Sequence, residues 1–300
     1  MYVITGATGN TGKVIAEKLL AAGQKVRVVG RSADKLAGFV SRGAEAFAGS
    51  VDDAEAMTRA FTGAKAVYAL FPPSLKEKDY RGYQRRITEV LGATLEKSGV
   101  QYVVTLSSLG AELPSGTGPI AGLHELEERL NQISALNALH LRAAFFMENS
   151  LQVIGLIKSM GIFGGTIQAD ARIPMVATRD IGEFAADALL ALSFSGKTTR
   201  DVLGQRDISH QEIAPILGAA IGKPNLRYTH VPNWQAKMAM AGMGLPGNTV
   251  NLLLEMNDAI SEGKVKPTEP RSAQNTTPMS IEEFATEVFA PAFQGKAASA

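Results

Sequence analysis

Three glycines at the start of the chain have the spacing of a phosphate-binding turn. Gly6, Gly9 and Gly12 follow a short apolar run, and a helical pattern of apolar residues begins directly after them. In a strand–turn–helix unit such glycines allow a tight turn, close approach of the backbone to a pyrophosphate, and close packing of the helix. The helix N-terminus adds free N–H groups and a partial positive charge. The predicted cofactor contacts in this turn are Gly6, Thr8, Gly9, Asn10, Thr11 and Gly12.

The residues after the second predicted strand, Val26 to Val29, indicate which nucleotide binds. Enzymes that use NAD usually place a carboxylate here, which holds the 2′-hydroxyl of the ribose. This chain instead has Arg31 and Ser32, with Lys35 a little further on. A guanidinium and an ammonium group suit a 2′-phosphate. We therefore favour NADPH over NADH, although a solvated basic turn would have the same composition.

Further candidate residues follow other predicted strands, because the carboxyl ends of parallel strands meet at the edge where ligands bind. One apolar strand runs from Ala66 to Phe71, and another runs from Val100 to Leu106. The remaining predicted cofactor contacts are Ser50 and Val51 near the adenine, and Leu70, Phe71, Pro72, Ser107, Ser108, Phe145 and Phe146. The predicted substrate contacts are Pro73, Leu109, Met147, Asn149 and Met238.

His124 is the histidine on the helix expected to border the nicotinamide. An ordinary histidine pKa of about 6.5 allows proton transfer near neutral pH. We therefore name His124 as the candidate catalytic residue and as a cofactor contact, since it can instead bind the ribose or cap nearby backbone. On the same helix, Glu125, Glu127 and Glu128 are expected to form surface pairs, and Glu128 is the one to test as an acid. His140 has no visible partner, and no residues have metal-ligand spacing, so we predict no metal site.

The order of elements predicts an α/β fold with a doubly wound parallel Rossmann sheet and a smaller C-terminal α/β substrate lobe. The nucleotide-binding domain is expected over residues 1–150, joined by the region 177–195. The smaller lobe is expected over residues 151–176 and 196–294, with loops and short strands between Gly155 and Val176. Residues 295–300 are predicted to be a disordered tail.

Composition excludes several classes of function. The net charge of +1 gives no electrostatic case for nucleic acid or an anionic membrane, and the absence of cysteine excludes disulfides and thiolate chemistry. The uncharged run from Met238 to Leu254 is interrupted by glycines and Pro246, and the chain begins directly with a predicted strand. We expect a cytoplasmic protein without a signal peptide or a membrane span, either a monomer or a homodimer.

Several segments together resemble the NmrA-like branch of the atypical short-chain dehydrogenases. That branch includes NADPH-dependent quinone reductases, isoflavone-reductase-like enzymes and NADP-binding redox sensors. The resemblance covers nearly the whole chain and implies a Rossmann fold that binds NADPH. The segments that carry it are Thr5–Gly12, Gly30–Ser32, Leu106–Ser108, Leu141–Asn149, Ala177–Gly182, Ile208–Ile213 and Ile221–Pro224.

The chain departs from the wider superfamily at its usual acid–base pair. Many short-chain dehydrogenases have Tyr-x-x-x-Lys on the helix after the fifth strand, and this register places Ile120 at the tyrosine and His124 at the lysine. A glutamate and an arginine often follow at spacings that Glu128 and Arg142 match. The resemblance therefore implies a site without the phenol that serves alcohol–ketone interconversion.

Our first hypothesis is an NADPH-dependent reductase of a flat electron acceptor such as a quinone, with Phe71, Phe145 and Phe146 as walls. A reduced quinone is a stabilised phenolate, so it demands less of an enzymatic acid than a ketone does. The alternative is an NADP(H)-binding redox sensor that signals to a protein partner with little or no turnover. A third option is a cofactor-binding relic without activity.

Overall fold

The computed structural model describes residues 1–296. Its strands are β1 Tyr2–Thr5, β2 Val26–Gly30, β3 Glu45–Ala48, β4 Ala66–Ala69, β5 Tyr102–Ser108, β6 Asn137–Ala143, β7 Phe145–Phe146, β8 Phe163–Gly165, β9 Ile173–Val176, β10 Lys197–Val202, β11 Asp207–Ile208 and β12 Tyr228–His230. Its helices are α1 Asn10–Ala21, α2 Ala37–Val40, α3 Ala54–Phe61, α4 Tyr80–Ser98, α5 Ile120–Asn131, α6 Ile154–Met160, α7 Thr178–Ala191, α8 His210–Ala220, α9 Asn233–Gly242, α10 Gly247–Ser261, α11 Ile281–Phe284 and α12 Ala290–Phe293.

The main sheet has the order β10-β6-β5-β4-β1-β2-β3, and all its neighbouring strands run parallel. Helices α1 and α7 cover one face, and α3, α4 and α5 cover the other, each over its own apolar core. Strands buried on both faces are almost wholly apolar, as β1 and β4 are. The predicted doubly wound Rossmann sheet is confirmed.

The last strand of this sheet was assigned to the wrong lobe. We had placed residues 196–294 in the smaller lobe, but β10 pairs with β6 along its length, with Lys197 opposite Ala138 and Val202 opposite Ala143. The mainly polar sequence of Lys197–Val202, whose first four residues are partly exposed, suits an edge strand. Without β10, the backbone N–H and C=O groups on that side of β6 would have no strand partner.

The smaller lobe has two short sheets, of order β11-β9-β7 and β12-β8, and helices around a separate core. Helix α6 lies where we had expected only loops and short strands. The rest of the predicted division into lobes stays a prediction. Of the predicted disordered tail, residues 297–300 lie outside the described residues.

Helix α7 contacts both the main sheet layer and the smaller lobe. A β-carbon on Gly182 would lie 2.7 Å from the Val14 β-carbon, so α7 packs closely on α1 beside it. Two residues before Gly182, Asp180 accepts a hydrogen bond from the backbone N–H of Met279 at 2.9 Å. Glu148 accepts from the backbone N–H and hydroxyl of Thr178 at the start of α7, at 3.0 and 2.6 Å. These contacts hold the carboxyl edge of the sheet against the smaller lobe.

The predicted strand ends needed adjustment at the ligand edge. Strand β4 ends at Ala69, so Leu70 and Phe71 belong to the following loop, whereas β5 continues to Ser108. Within residues 1–296, no helix combines the length and the apolar character that a membrane crossing requires.

Candidate functional site

The glycine turn between β1 and α1 has the backbone geometry that its sequence predicts. Gly6 adopts a left-handed conformation with φ of +62°, which favours glycine. The N–H of Gly9 donates to the carbonyl oxygen of Gly6 at 2.9 Å. A β-carbon on Gly12 would lie only 2.3 Å from that same oxygen. The turn is therefore closed by backbone contacts that larger residues would prevent.

The N-terminus of α1 is open to an anion. Gly9 caps it without a side chain, and the first turn contains no acidic residue. Thr8, Gly9 and Asn10 are exposed at this end. Thr11 is buried, and its hydroxyl accepts a hydrogen bond from Tyr68 at 2.9 Å. Free N–H groups, the helix dipole and a glycine cradle fit the phosphates of a dinucleotide.

The basic residues after β2 are available for a ligand. Arg31 and Lys35 are exposed and form no ion pair or hydrogen bond within residues 1–296, while Ser32 beside them is half-buried. Lys35 lies in a short 3₁₀ turn from Asp34 to Leu36. The carbonyl of Ser50 accepts from the N–H of Asp53, and Val51 packs on the apolar core. The predicted contacts with the 2′-phosphate and adenine stay predictions.

A mainly apolar pocket of about 280 Å³ opens beside the glycine turn. A β-carbon on Gly6 would lie 3.1 Å from Leu70, which lines the pocket, so the turn and the pocket share a wall. No aspartate, glutamate, lysine, arginine or histidine lines it. The lining residues are Leu70, Phe71, Pro73, Tyr80, Gln84, Leu106, Ser107, Ser108, Leu109, Pro119, Ile120, Leu123, Ala143, Ala144, Phe145, Phe146, Asn149, Ile173, Pro174, Met256, Ile260 and Val265.

The pocket gathers most of the ligand-edge residues that the sequence singled out, and leaves four out. The predicted residues that line it are Leu70, Phe71, Pro73, Ser107, Ser108, Leu109, Phe145, Phe146 and Asn149. Pro72, His124, Met147 and Met238 do not. Met147 is buried in the core of the smaller lobe, and Met238 lies on α9 with 68% of its surface exposed. Placing these two methionines at the substrate was wrong for this pocket, because methionine serves cores and surfaces alike.

His124 is turned towards local backbone. Its Nδ1 lies 2.9 Å from the carbonyl oxygen of Ala111, so this nitrogen carries the hydrogen and donates it. Ile120 and Leu123 of the same helix line the pocket instead. Of the three roles considered for His124, this contact corresponds to capping the loop after β5, and its catalytic role stays a prediction.

A buried polar network stands behind the pocket at Ser107. Its hydroxyl donates to Glu127 at 2.5 Å, and Arg142 donates to both oxygens of Glu127, at 3.1 and 2.6 Å. Glu127 is 4% exposed, whereas Glu128, which we had matched to the superfamily spacing, faces solvent. The expectation of a surface pair was wrong for Glu127, because spacing along the chain does not reveal which helix face is buried. Burial by itself would lower the pKa of Arg142, but its hydrogen bonds and the charge of Glu127 raise it.

The other buried histidines also have partners that the sequence did not reveal. His140 lies 2.8 Å from the hydroxyl of Thr105 and 3.1 Å from the amide oxygen of Asn131, so the expectation of no partner was wrong. His210 packs among the rings of Phe145, Phe163 and Tyr228, with its Nδ1 lacking a hydrogen bond. Burial lowers the pKa of each histidine to about 4. Within the described chain no three potential metal ligands come together.

Sequence reasoning missed the residues that the smaller lobe and α4 contribute to the pocket. Tyr80 and Gln84 come from the first turns of α4, and Met256 and Ile260 come from α10. Tyr80 follows the Pro72–Pro73 loop closely in the sequence, and this position at the ligand edge was the signal that could have identified it. No sequence signal identified α10, because its residues approach the pocket only through the packing of the lobes.

Comparison with known proteins places this architecture among characterised relatives. The model of the NmrA-like family matches residues 2–285. An NAD(P)H azoreductase from Xenophilus azovorans is 25% identical over 85% of this chain and 86% of its own. A (4-alkanoyl-5-oxo-2,5-dihydrofuran-3-yl)methyl phosphate reductase from Streptomyces griseus is 28% identical over 80% of each chain. The structure of an NADPH-dependent quinone oxidoreductase from Escherichia coli complexed with NADPH superposes with a TM-score of 0.81 at 20% identity, covering 96% of this chain and all of the other.

Proposed function

Because this chain belongs to the NmrA-like family, we propose that it is an NADPH-dependent reductase of a flat, conjugated acceptor such as a quinone. Two of its relatives are reductases, one of them named for NAD(P)H. The observation that carries the proposal is the apolar pocket, which contains no charged side chain and shares Leu70 with the glycine turn.

The cofactor half of the site supports binding of a phosphorylated dinucleotide. The first-turn N–H groups of α1 bind the pyrophosphate, and Gly12 keeps the turn narrow enough for that approach. Arg31 and Lys35 neutralise the 2′-phosphate, whereas the carboxylate that NAD enzymes place after this strand would repel it. NADPH, when bound, supplies a hydride.

The acceptor half of the site supports a planar apolar substrate. Phe71, Phe145 and Phe146 provide aromatic walls, and Asn149 provides an amide that makes no hydrogen bond to residues 1–296. A pocket of this kind orients a ring system mainly by burying its faces. Two-electron reduction leaves a quinone as a stabilised phenolate, so the reaction suits a pocket in which Ile120 stands at the position that the superfamily resemblance assigns to a tyrosine.

NADPH oxidation, measured at 340 nm with purified protein and a panel of quinones, tests the proposal. We expect steady turnover that saturates with quinone and is slower with NADH. Calorimetry with NADPH and NADP⁺ in the absence of acceptor provides an independent readout of cofactor binding. Binding of both forms without turnover of any acceptor would overturn the reductase and favour the sensor.

A further inference from the structure

The pocket has few groups that can bind the oxygen of a ligand. Five of its lining residues have hydrogen-bonding side chains: Tyr80, Gln84, Ser107, Ser108 and Asn149. A carbonyl oxygen in the pocket requires a donor whose hydrogen is not already committed. The internal hydrogen bonds of these five residues therefore decide which of them can recognise a substrate.

Three of the five already donate a hydrogen bond within the protein. Ser107 donates to Glu127 at 2.5 Å, and Ser108 donates to the carbonyl of Leu109 at 2.9 Å. Gln84 donates to the carbonyl of Pro119 at 2.8 Å, and its own oxygen accepts from Arg81 at 2.8 Å. Gln84 keeps a second amide hydrogen, but Tyr80 and Asn149 are the two lining residues whose side-chain donors make no hydrogen bond within residues 1–296.

The hydroxyl of Tyr80 is free although the residue itself is nearly buried. Only 7% of Tyr80 is exposed, and its hydroxyl makes no hydrogen bond within residues 1–296. The hydroxyl oxygen is not sealed from solvent, and Tyr80 lines the pocket. A ligand that displaces water from this hydroxyl must accept its hydrogen, because an apolar ligand would leave the phenol buried without a partner.

Contacts on three sides hold Tyr80 in place. It is the first residue of α4, whose end is capped by Asp79 through a 2.9 Å bond to the N–H of Gly82. The backbone N–H of Tyr80 donates to the side-chain oxygen of Asn248 in α10 at 3.1 Å. Its ring packs at 6.1 Å from the ring of Tyr83. The phenol is thus positioned jointly by the large domain and the smaller lobe.

We propose that the Tyr80 hydroxyl is a specificity-determining hydrogen-bond donor that selects acceptors carrying a carbonyl oxygen over purely apolar rings of the same size. This inference rests on the proposed function for the class of ligand and extends it to a residue on α4. Burial raises the pKa of Tyr80, so the phenol keeps its hydrogen at physiological pH.

The test compares two ligands that differ in their oxygens, 1,4-naphthoquinone and naphthalene, by equilibrium dialysis against protein without cofactor. In Tyr80→Phe we expect binding of naphthoquinone to weaken about twofold to tenfold, as for the loss of one hydrogen bond, while binding of naphthalene stays unchanged. Tyr102→Phe is the matched control, because Tyr102 packs against Phe194 at the far end of β5 and does not line the pocket. It should bind both ligands as the unaltered protein does.

Three results would overturn the inference: equal losses for both ligands in Tyr80→Phe, unchanged affinity for naphthoquinone, or no binding of naphthoquinone by the unaltered protein. Circular dichroism of each variant establishes that the fold is retained. Asn248→Ala supplies a second variant, since it frees Tyr80 without altering the phenol, and it should weaken naphthoquinone binding in the same direction but less. NADPH oxidation is measured separately, so its absence would remove the proposed reductase while the dialysis still reports on Tyr80.

Discussion

The glycine turn presents backbone atoms from one short segment, whereas the neighbouring pocket is assembled from side chains scattered between Leu70 and Val265. In the turn, a carbonyl oxygen and a few N–H groups decide the geometry, and residue size is the main constraint. In the pocket, the outcome depends on which face of each helix is buried and on how the smaller lobe packs. The two regions therefore differ in how strongly a single substitution should affect them.

The largest expected effect lies in the polar network behind the pocket. Glu127→Ala leaves Arg142 half-buried without its bidentate partner and should lower the free energy of unfolding by about 3–5 kcal/mol, as for other broken buried pairs. Glu128→Ala, on the exposed face of the same helix, should change it by less than about 0.5 kcal/mol. Urea denaturation of both variants measures the difference. Similar losses of unfolding free energy in Glu127→Ala and Glu128→Ala would contradict a buried ion pair between Glu127 and Arg142.

The glycine turn should be sensitive to a single added carbon. Gly12→Ala places a β-carbon 2.3 Å from a backbone oxygen, which cannot rotate away, and should cost about 1–3 kcal/mol of stability together with loss of NADPH affinity. Gly38→Ala, in α2, meets nothing within 4 Å. It should be neutral or stabilising by up to about 1 kcal/mol, because alanine favours a helix over glycine. Thermal unfolding and calorimetry with NADPH check both variants. Unchanged stability and NADPH affinity in Gly12→Ala would contradict the inference that the Gly6 carbonyl oxygen leaves no room for a side chain at Gly12.

The basic residues after β2 should separate the two nicotinamide cofactors. Arg31→Asp should weaken NADPH about tenfold or more, as for loss of a charge-assisted hydrogen bond, and should affect NADH much less. Arg59→Asp makes the same change of charge on the exposed end of α3 and controls for long-range electrostatics. Dissociation constants for both cofactors provide the measurement. Equal losses for NADPH and NADH would refute the preference for the phosphorylated cofactor.

The buried histidines should make stability depend on pH. Burial lowers the pKa of His140 and His210 to about 4, so between about pH 6.5 and 4 the unfolded chain binds protons that the folded protein does not. Stability should therefore fall as pH decreases through this window, with a limiting slope of about 1.4 kcal/mol per pH unit for each histidine.

His210→Phe and His140→Phe should differ in their effect at pH 7, because His210 packs among aromatic rings and its Nδ1 has no hydrogen bond to lose. His210→Phe should flatten the pH dependence without lowering stability at pH 7. His140→Phe should flatten it as well but lower stability at pH 7, since Thr105 and Asn131 would lose their partner. Melting temperatures from pH 7 to 4.5 distinguish these outcomes, and an unchanged slope in His210→Phe would refute its contribution.

The sequence determined the features that depend on local spacing. The glycine pattern, the alternation of apolar strands with helices and the residues at strand ends predicted the Rossmann sheet and its ligand edge, because periodicity and backbone constraints act over a few residues. The family resemblance added the segment that includes Glu148, whose contact with α7 is visible only in three dimensions.

Tertiary structure alone decided the choices between neighbouring residues. It buried Glu127 rather than Glu128, turned His124 towards Ala111, placed β10 in the main sheet and brought Tyr80 and α10 to the pocket. Each of these outcomes depends on the rotation of a helix or on contacts between residues far apart in the chain. Local sequence patterns do not encode that information, because the energy that selects among such arrangements comes from packing the whole molecule.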